Sequence, residues 1–165
     1  MKGHTLIELI IIMVLLSILS ITSFIALNSY RAQYLRAAAE RLVSDLNYAK
    51  NYALSSTQWT GMAFQVTPNN TYSVYTTDGV ADVTIKSPQD PGRDFAVSVP
   101  ADYPGVEIDS VNIGGGSKVE FSPLGVPYPD KSSAALAATG TIVLSKSGST
   151  ITVDIAPETG RVYIP

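Results

Sequence analysis

The sequence of 165 residues contains no cysteine and only one histidine, His4. Without thiols the chain forms no disulfide and no thiolate metal site, and a single histidine excludes a His-rich zinc site. Charge is also scarce, since only 15% of the residues are Asp, Glu, Lys or Arg. These two kinds of metal site are therefore excluded, and we predict that the protein holds neither a metal nor a cofactor.

A long stretch that is both uncharged and mostly apolar lies near the amino terminus. Between Glu8 and Arg31, 22 residues carry no charge, and 15 of the 19 residues from Leu9 to Leu27 are apolar. A helix of 22 residues is about 33 Å long, which is enough to cross the hydrocarbon layer of a bilayer. The stretch is longer than the apolar part of a secretory signal, and no small-residue cleavage site closes it. It predicts a membrane-spanning helix and excludes a plain cytosolic globule.

Glu8 stands at the edge of this apolar stretch. Burying a carboxylate in the apolar part of a membrane costs about 3 kcal/mol, unless the carboxylate lies at the membrane interface or has a cationic partner. The residue alone leaves both interpretations open.

The helical pattern continues beyond the uncharged stretch as one narrow apolar stripe. Its members recur at spacings of three and four residues: Leu35, Ala38, Ala39, Leu42, Leu46, Ala49 and Ala53. The charged residues are expected off the stripe: Arg36, Glu40, Arg41, Asp45 and Lys50. Neither glycine nor proline interrupts residues 9–56, so we predict one helix of about 50 residues whose second half packs on a partner.

Residues 57–165 change to a period of two, which is typical of strands. The predicted strands are Gly61–Thr67, Tyr72–Tyr75, Phe95–Val99, Val106–Ile113, Lys118–Ser122, Thr141–Ser145, Thr150–Ile155 and Arg161–Ile164. Clusters rich in glycine, proline and asparagine separate them, and residues 78–94 and 123–138 are expected to be surface loops. Short successive strands with little helix between them predict an antiparallel sheet or sandwich, and thus an α+β fold.

Charge divides the chain in the same way. Residues 28–56 carry a net charge of +2, and residues 57–165 carry −5, from six basic and eleven acidic side chains. Nucleic-acid binding needs clustered Lys or Arg, so the acidic outer domain argues against it. If the domain did bind DNA, the first side chains to examine would be Lys118, Lys131, Lys146 and Arg161.

No catalytic group of residues is found. His4 is separated from the outer domain by about 75 Å of helix, so a Ser-His-Asp unit is excluded. The paired acids Asp90 and Asp94, and Glu107 and Asp109, have the chemistry for acid-base work or calcium binding. They lie among turns and strand edges, where solvated acids are ordinary, and we predict that the protein is not an enzyme.

The start of the chain, Gly3-His4-Thr5-Leu6-Ile7-Glu8-Leu9 followed by an uncharged helix, resembles the class III leader of type IV pilins and pseudopilins. The resemblance implies that prepilin peptidase cuts after Gly3 and that the new amino terminus, on His4, is methylated. Glu8 is then the fifth residue of the mature chain and pairs with that amine, on its own chain or on a neighbour, during assembly. His4 departs from the family's usual phenylalanine, and the proline that often bends this helix is absent.

Later motifs resemble the GspH/FimT family of minor pilins and pseudopilins. They are Ala39-Glu40-Arg41-Leu42-Val43-Ser44-Asp45-Leu46, Ala49-Lys50-Asn51-Tyr52-Ala53, Val119-Glu120-Phe121-Ser122-Pro123-Leu124-Gly125, Ile142-Val143-Leu144 and Thr159-Gly160-Arg161-Val162. Lys50 departs from the arginine usual at that place. The resemblance implies a pilin-like fold, in which a long N-terminal transmembrane helix packs on an antiparallel β-sheet domain.

The resemblance also implies an organisation and a function. Residues 1–3 would be the leader peptide, 4–30 the transmembrane and filament-core half of the helix, 31–56 its amphipathic half, and 57–165 a periplasmic β-rich domain. The protein would be a minor subunit of a type IV pilus or of a type II secretion pseudopilus. Its partners would be other pilin or pseudopilin subunits, prepilin peptidase and the bacterial inner membrane, which the chain would cross once. The alternative is a membrane-anchored binding module of the same family, an adhesin or a DNA-uptake receptor.

Overall fold

A computed structural model describes the backbone of residues 6–165 and the side chains of residues 6–20 and 32–165. The chain begins with one helix, α1, at Leu6–Ser56. The absence of glycine and proline between residues 9 and 56 lets it run without a break. The prediction of one helix of about 50 residues is confirmed, because α1 has 51.

Short strands and one further helix follow α1. Their bounds are β1 Trp59–Gln65, β2 Thr71–Thr77, β3 Asp82–Thr84, β4 Ala96–Ser98, α2 Val99–Asp102, β5 Glu107–Asn112, β6 Lys118–Phe121, β7 Pro127–Tyr128, β8 Gly140–Lys146, β9 Ser149–Ile155 and β10 Val162–Tyr163. All the pairings between these strands are antiparallel, as the period of two predicts.

The strands form two sheets. In the first the order is β3-β2-β1-β6-β7. Strands β3 and β4 both pair with the same side of β2, β4 with its first three residues and β3 with its last three. In the second the order is β10-β9-β8-β5. Asn70 joins the two, since its side-chain oxygen accepts a hydrogen bond of 3.0 Å from the backbone N–H of Ile108 in β5.

The second half of α1 lies against both sheets, in contact with β1 and β6 of the first and with β8, β9 and β10 of the second. Every member of the predicted apolar stripe is buried there: Leu35, Ala38, Ala39, Leu42, Leu46, Ala49 and Ala53. The sheets contribute their inward-facing side chains to the same core, among them Met62, Val74, Phe121, Ile142 and Val153. We call this contact between residues 35–53 and the sheets the helix-sheet seam.

The structure corrects three details of the predicted fold. Strands β3 and β7 lie inside the stretches predicted as loops, and residues 99–102 form the short helix α2 where a strand was predicted to end. Asp45, expected off the apolar stripe, is only 5% exposed. It follows Leu42 by three residues and precedes Ala49 by four, so helical geometry places it on the stripe.

The first half of α1 has a different environment. Every described side chain from Leu6 to Ser20 is exposed. Among the described residues, no helix is long and apolar enough to cross a membrane. The predicted membrane segment includes residues 21–30, whose side chains lie outside the description.

Candidate assembly site

The first predicted site is the amino-terminal end of α1. Gly3 and His4, the positions predicted for cleavage and methylation, lie outside the described residues. Glu8 lies in the first turn of α1 and is exposed. A negative charge there is favoured by the partial positive charge at a helix amino terminus, which adds about 0.3–1 kcal/mol.

The surface next to Glu8 is almost entirely aliphatic. Leu6, Leu9, Ile12 and Leu16 are each about half exposed or more, between 49% and 79%. The polar side chains in this stretch satisfy themselves, because the Ser17 and Ser20 hydroxyls donate to the carbonyls of Met13 and Leu16 at 2.8 Å. The result is a helix surface that presents apolar side chains and no unsatisfied hydroxyl, which suits an apolar environment.

A buried ionic group lies in the helix-sheet seam. The Arg41 guanidinium donates through Nε to both oxygens of Asp45, at 3.0 and 2.9 Å, and the Tyr72 hydroxyl donates to Asp45 Oδ2 at 2.6 Å. Burial raises the pKa of Asp45, although the hydrogen bonds from Tyr72 and Arg41 act in the opposite direction. Burial also raises the pKa of Tyr72, and the Asp45 charge adds to this effect. The group ties α1 to β2, and its position indicates a structural role.

A second buried carboxylate, Glu120 on β6, organises the far end of the first sheet. It is 2% exposed and accepts hydrogen bonds from the Tyr75 hydroxyl at 2.8 Å, from Lys118 Nζ at 3.1 Å and from the backbone N–H of Lys131 at 2.6 Å. Burial raises the pKa of Tyr75, and its hydrogen bond to Glu120 does the same. Lys118 also binds Asp130 and lowers the pKa of that exposed carboxyl. The partners come from β2, from β6 itself and from the loop after β7, and only Lys118, two residues away, is near Glu120 in the sequence.

The four cations that were named for possible DNA contact are engaged in separate local interactions. The Lys118 ammonium contacts Glu120 and Asp130, whereas the Lys131 ammonium donates to the carbonyl of Asp78 and only its backbone N–H contacts Glu120. Lys146 Nζ donates to the carbonyl of Pro104 at 2.6 Å and lies 4.4 Å from the Tyr34 ring centroid. Arg161 stacks on the Tyr163 ring at 5.3 Å. The four cations therefore contact different groups: Lys146 contacts Pro104 and Tyr34, and Arg161 contacts Tyr163, whereas neither, within the described residues, contacts the groups that bind Lys118 and Lys131.

The paired acids also have ordinary surroundings. Asp94 pairs with Lys86 at 2.8 Å, and Asp90 pairs with Arg93 at 3.3 Å. Glu107 and Asp109 are exposed on β5. In the part of the chain that the structure describes, no group of three or more His, Asp or Glu side chains is placed to hold a metal ion.

Three of the sequence motifs meet at the carboxyl-terminal end of α1. Lys50 Nζ donates to the carbonyl of Thr159 at 2.8 Å, which joins the helix to the last turn. Gly160 has a φ of 59°, and a Cβ there would lie 2.5 Å from the carbonyl oxygen of Gly125. The motifs around residues 50, 125 and 160 are therefore packing motifs of the helix-sheet seam.

Comparisons with known proteins agree with this architecture. The family model described as type II transport protein GspH matches residues 38–159. None of the curated proteins is a match for this sequence.

Solved structures share the fold at low sequence identity. The type IV minor pilin FimU of Pseudomonas aeruginosa strain PAO1 is 15% identical, with 81% of this chain and 90% of FimU covered and a TM-score of 0.56. The minor pseudopilin EpsH from the type II secretion system of Vibrio cholerae is 12% identical, with 80% of this chain and 93% of EpsH covered and a TM-score of 0.58. At these identities the likeness shows a common fold, a long helix packed on antiparallel sheets.

Proposed function

The chain belongs to the GspH family, and from this premise we propose that it is a minor structural subunit of a type IV pilus or of a type II secretion pseudopilus. The family consists of structural subunits and not of enzymes, so the chain is not an enzyme. The proposal assigns assembly to the apolar first half of α1.

The observation that carries the proposal is the division of α1. The apolar stripe of its second half is buried in the seam, whereas the aliphatic side chains from Leu6 to Leu19 are exposed. Exposing apolar surface to water costs about 25 cal/mol per Å², so a helix half that is covered with exposed aliphatic side chains is unfavourable in water. It supports the proposal that residues 4–30 lie first in the inner membrane and then in the core of a filament.

The proposal includes the organisation of the whole chain. Residues 1–3 are the leader, 4–30 the anchor and filament-core segment, 31–56 the seam segment, and 57–165 the periplasmic domain. Prepilin peptidase cuts between Gly3 and His4, and the amine of His4 is methylated. The cut places a cation one helical turn before Glu8, so the carboxylate keeps a partner of opposite charge in the apolar filament core.

Intact mass of the filament-associated protein tests the proposal. We expect a chain that begins at His4 and carries one methyl group, and we expect Gly3→Val to leave uncleaved precursor in the membrane. A chain that begins at Met1, or one cut beyond residue 20, would contradict the processing. The matched control is the substitution Gly148→Val, in an open turn of the outer domain, which keeps the cleavage junction intact.

A further inference from the structure

The far end of α1 opens into a cleft of about 370 Å³, which we call the distal cleft. It is lined by Trp59, Thr76, Asp78, Val83 and Lys131, with smaller contributions from the residues that connect α1 to β1. Glu8 precedes the end of α1 by 48 residues, which is about 72 Å of helix. The cleft and the proposed assembly segment therefore lie at opposite ends of the helix.

The aromatic wall of the cleft is held in place before anything binds. The Trp59 ring meets Tyr128 edge to face, with centroids 4.9 Å apart, and Lys131 Nζ lies 5.7 Å from the Trp59 centroid. Lys131 is fixed by a hydrogen bond of 2.6 Å from its Nζ to the carbonyl of Asp78. Tryptophan and tyrosine are enriched at the centres of protein interfaces, and a rigid wall lowers the entropy cost of binding.

One side of the cleft ends in an open strand edge. Val83, which lines the cleft, is 63% exposed, and Val80, which lines the neighbouring pocket, is 95% exposed, although most valines of the outer domain are buried. Strand β3, which contains Val83, is the end strand of the first sheet. Within the described residues no strand pairs with its outer side, so its backbone groups there are open to an added strand.

The charge around the cleft is negative. Asp78 and Asp82 are exposed beside it, and Asp82 has neither an ion pair nor a hydrogen-bond partner among the described side chains. Asp82 also lines a neighbouring pocket of about 160 Å³ together with Lys118, Glu120 and Asp130. The acids in this area outnumber Lys118 and Lys131, and a segment that carries Lys or Arg is therefore complementary to it.

We propose that the distal cleft and the outer edge of β3 bind an extended, basic segment of a neighbouring filament subunit. The segment adds a strand to β3, places an aliphatic side chain beside Val83 on one face of the sheet, and brings a Lys or Arg to Asp82 on the other face, which Trp59 shares. This inference rests on the proposed function, which supplies neighbouring subunits as partners for a surface that lies at the opposite end of α1 from the assembly segment.

Trp59 is the only tryptophan of the chain, so its fluorescence reports on this cleft. The test uses the full-length protein in detergent and two seven-residue peptides, one alternating valine with arginine and one alternating valine with glutamate. We expect a saturable change in Trp59 emission with the arginine peptide and none with the glutamate peptide. Asp82→Asn should weaken the binding by about fivefold, and Asp109→Asn, the same change at a distant exposed strand position, should not.

Three results would overturn the inference: no saturable change with the arginine peptide, an equal response to both peptides, or equal binding by wild type and Asp82→Asn. A response to a neutral oligosaccharide in place of the arginine peptide would assign the cleft to a sugar instead. In assembled filaments, a photo-reactive side chain at Val83 should cross-link to a basic segment of another subunit. If His4 is still the first residue and the chain still enters filaments while these tests fail, the inference falls and the proposed function stands.

Discussion

The two halves of α1 share one backbone and differ in what covers them. In the second half, Leu35, Leu42 and Leu46 are 2% exposed or less, and Asp45 is buried with its own hydrogen-bond partners. In the first half, Leu9, Leu15 and Leu16 are each more than half exposed. Leucine in the seam is therefore buried and stabilises the domain, whereas each described leucine of the first half is exposed.

The two halves of α1 therefore differ in what their apolar side chains can stabilise. Burial of an apolar side chain contributes about 1.5–3 kcal/mol only when something covers it. In the seam half the sheets cover the side chains, so that energy goes into the fold. Under the proposed function, lipid or other subunits cover the apolar half, and the energy would then go into insertion and assembly. Substitutions in the two halves should consequently affect different measurements.

The largest effect is expected for Leu42→Asp. The substitution places an unpaired charge in the seam and should cost more than about 4 kcal/mol, enough to unfold the outer domain. Circular dichroism and urea unfolding of the full chain in detergent would measure it. Asn51→Asp adds the same charge at an exposed position of the same half and should leave the domain folded. A cooperative unfolding transition in Leu42→Asp at the wild-type midpoint would show that the seam does not hold the domain.

Glu8→Gln is expected to affect assembly and leave the fold intact. If Glu8 pairs with the amine of His4 in an apolar filament core, its loss leaves a cation unpaired at a cost of about 3–5 kcal/mol. The variant should be cleaved and inserted normally but poorly recruited into filaments, as quantified by immunoblot of sheared filaments. Glu40→Gln changes an exposed glutamate that pairs with Arg36 on the same helix and should be recruited normally. Wild-type recruitment of Glu8→Gln would refute the pairing.

Gly160→Ala tests the end of the seam with an intermediate effect. The added Cβ would meet the carbonyl oxygen of Gly125 at 2.5 Å, and the left-handed backbone adds strain, for a cost of about 2–4 kcal/mol. Gly148→Ala is the control, because its φ is 85° but no atom lies within 4 Å of the added Cβ, so only the strain of about 1 kcal/mol remains. Gly160→Ala should have a lower thermal midpoint than Gly148→Ala, and equal midpoints would contradict the packing argument.

The smallest expected effect is a pH dependence from Asp45. Its pKa in the folded protein is raised above the ordinary value of 3.8, chiefly by burial. The folded state therefore keeps the proton to higher pH than the unfolded chain, and stability falls as pH rises through the window directly above 3.8. Relative to Asp45→Asn, the wild type should lose stability as the pH is raised through this window in thermal melts. A relative gain over the same window would show that the ion pair with Arg41 outweighs the burial.

Periodicity predicted much of the fold. The spacing of Leu35, Leu42 and Leu46 located the buried face of α1, and alternation located β1, β2, β8 and β9 to within two residues. Strands β3 and β7 were missed because they lie in stretches rich in Asp, Pro and Ala, a composition that predicted surface loops. They exist because β2 and β6 offer backbone partners that only the tertiary structure brings near.

The sites were less predictable for the same reason. Asp45 was expected off the apolar stripe, and its burial depends on Arg41 and Tyr72, whose hydrogen bonds to its carboxylate no sequence spacing indicated. Glu120 followed the outward phase of β6, and its burial depends on Tyr75 and on the backbone of Lys131. The roles predicted for Gly3, His4 and Glu8 come from the leader motif and stay predictions until they are measured.

Leu16→Asp tests the central claim most directly, because Leu16 is 58% exposed in the apolar half of α1. The measurement is the fraction of the variant recovered in filaments, taken together with the thermal midpoint of the outer domain. The account predicts that recovery in filaments is lost while the midpoint stays within about 1 °C of the wild type, since the substitution creates no buried charge in the seam. Wild-type recovery in filaments, or a midpoint as low as that of Leu42→Asp, would contradict the division of α1 into an assembly half and a folding half.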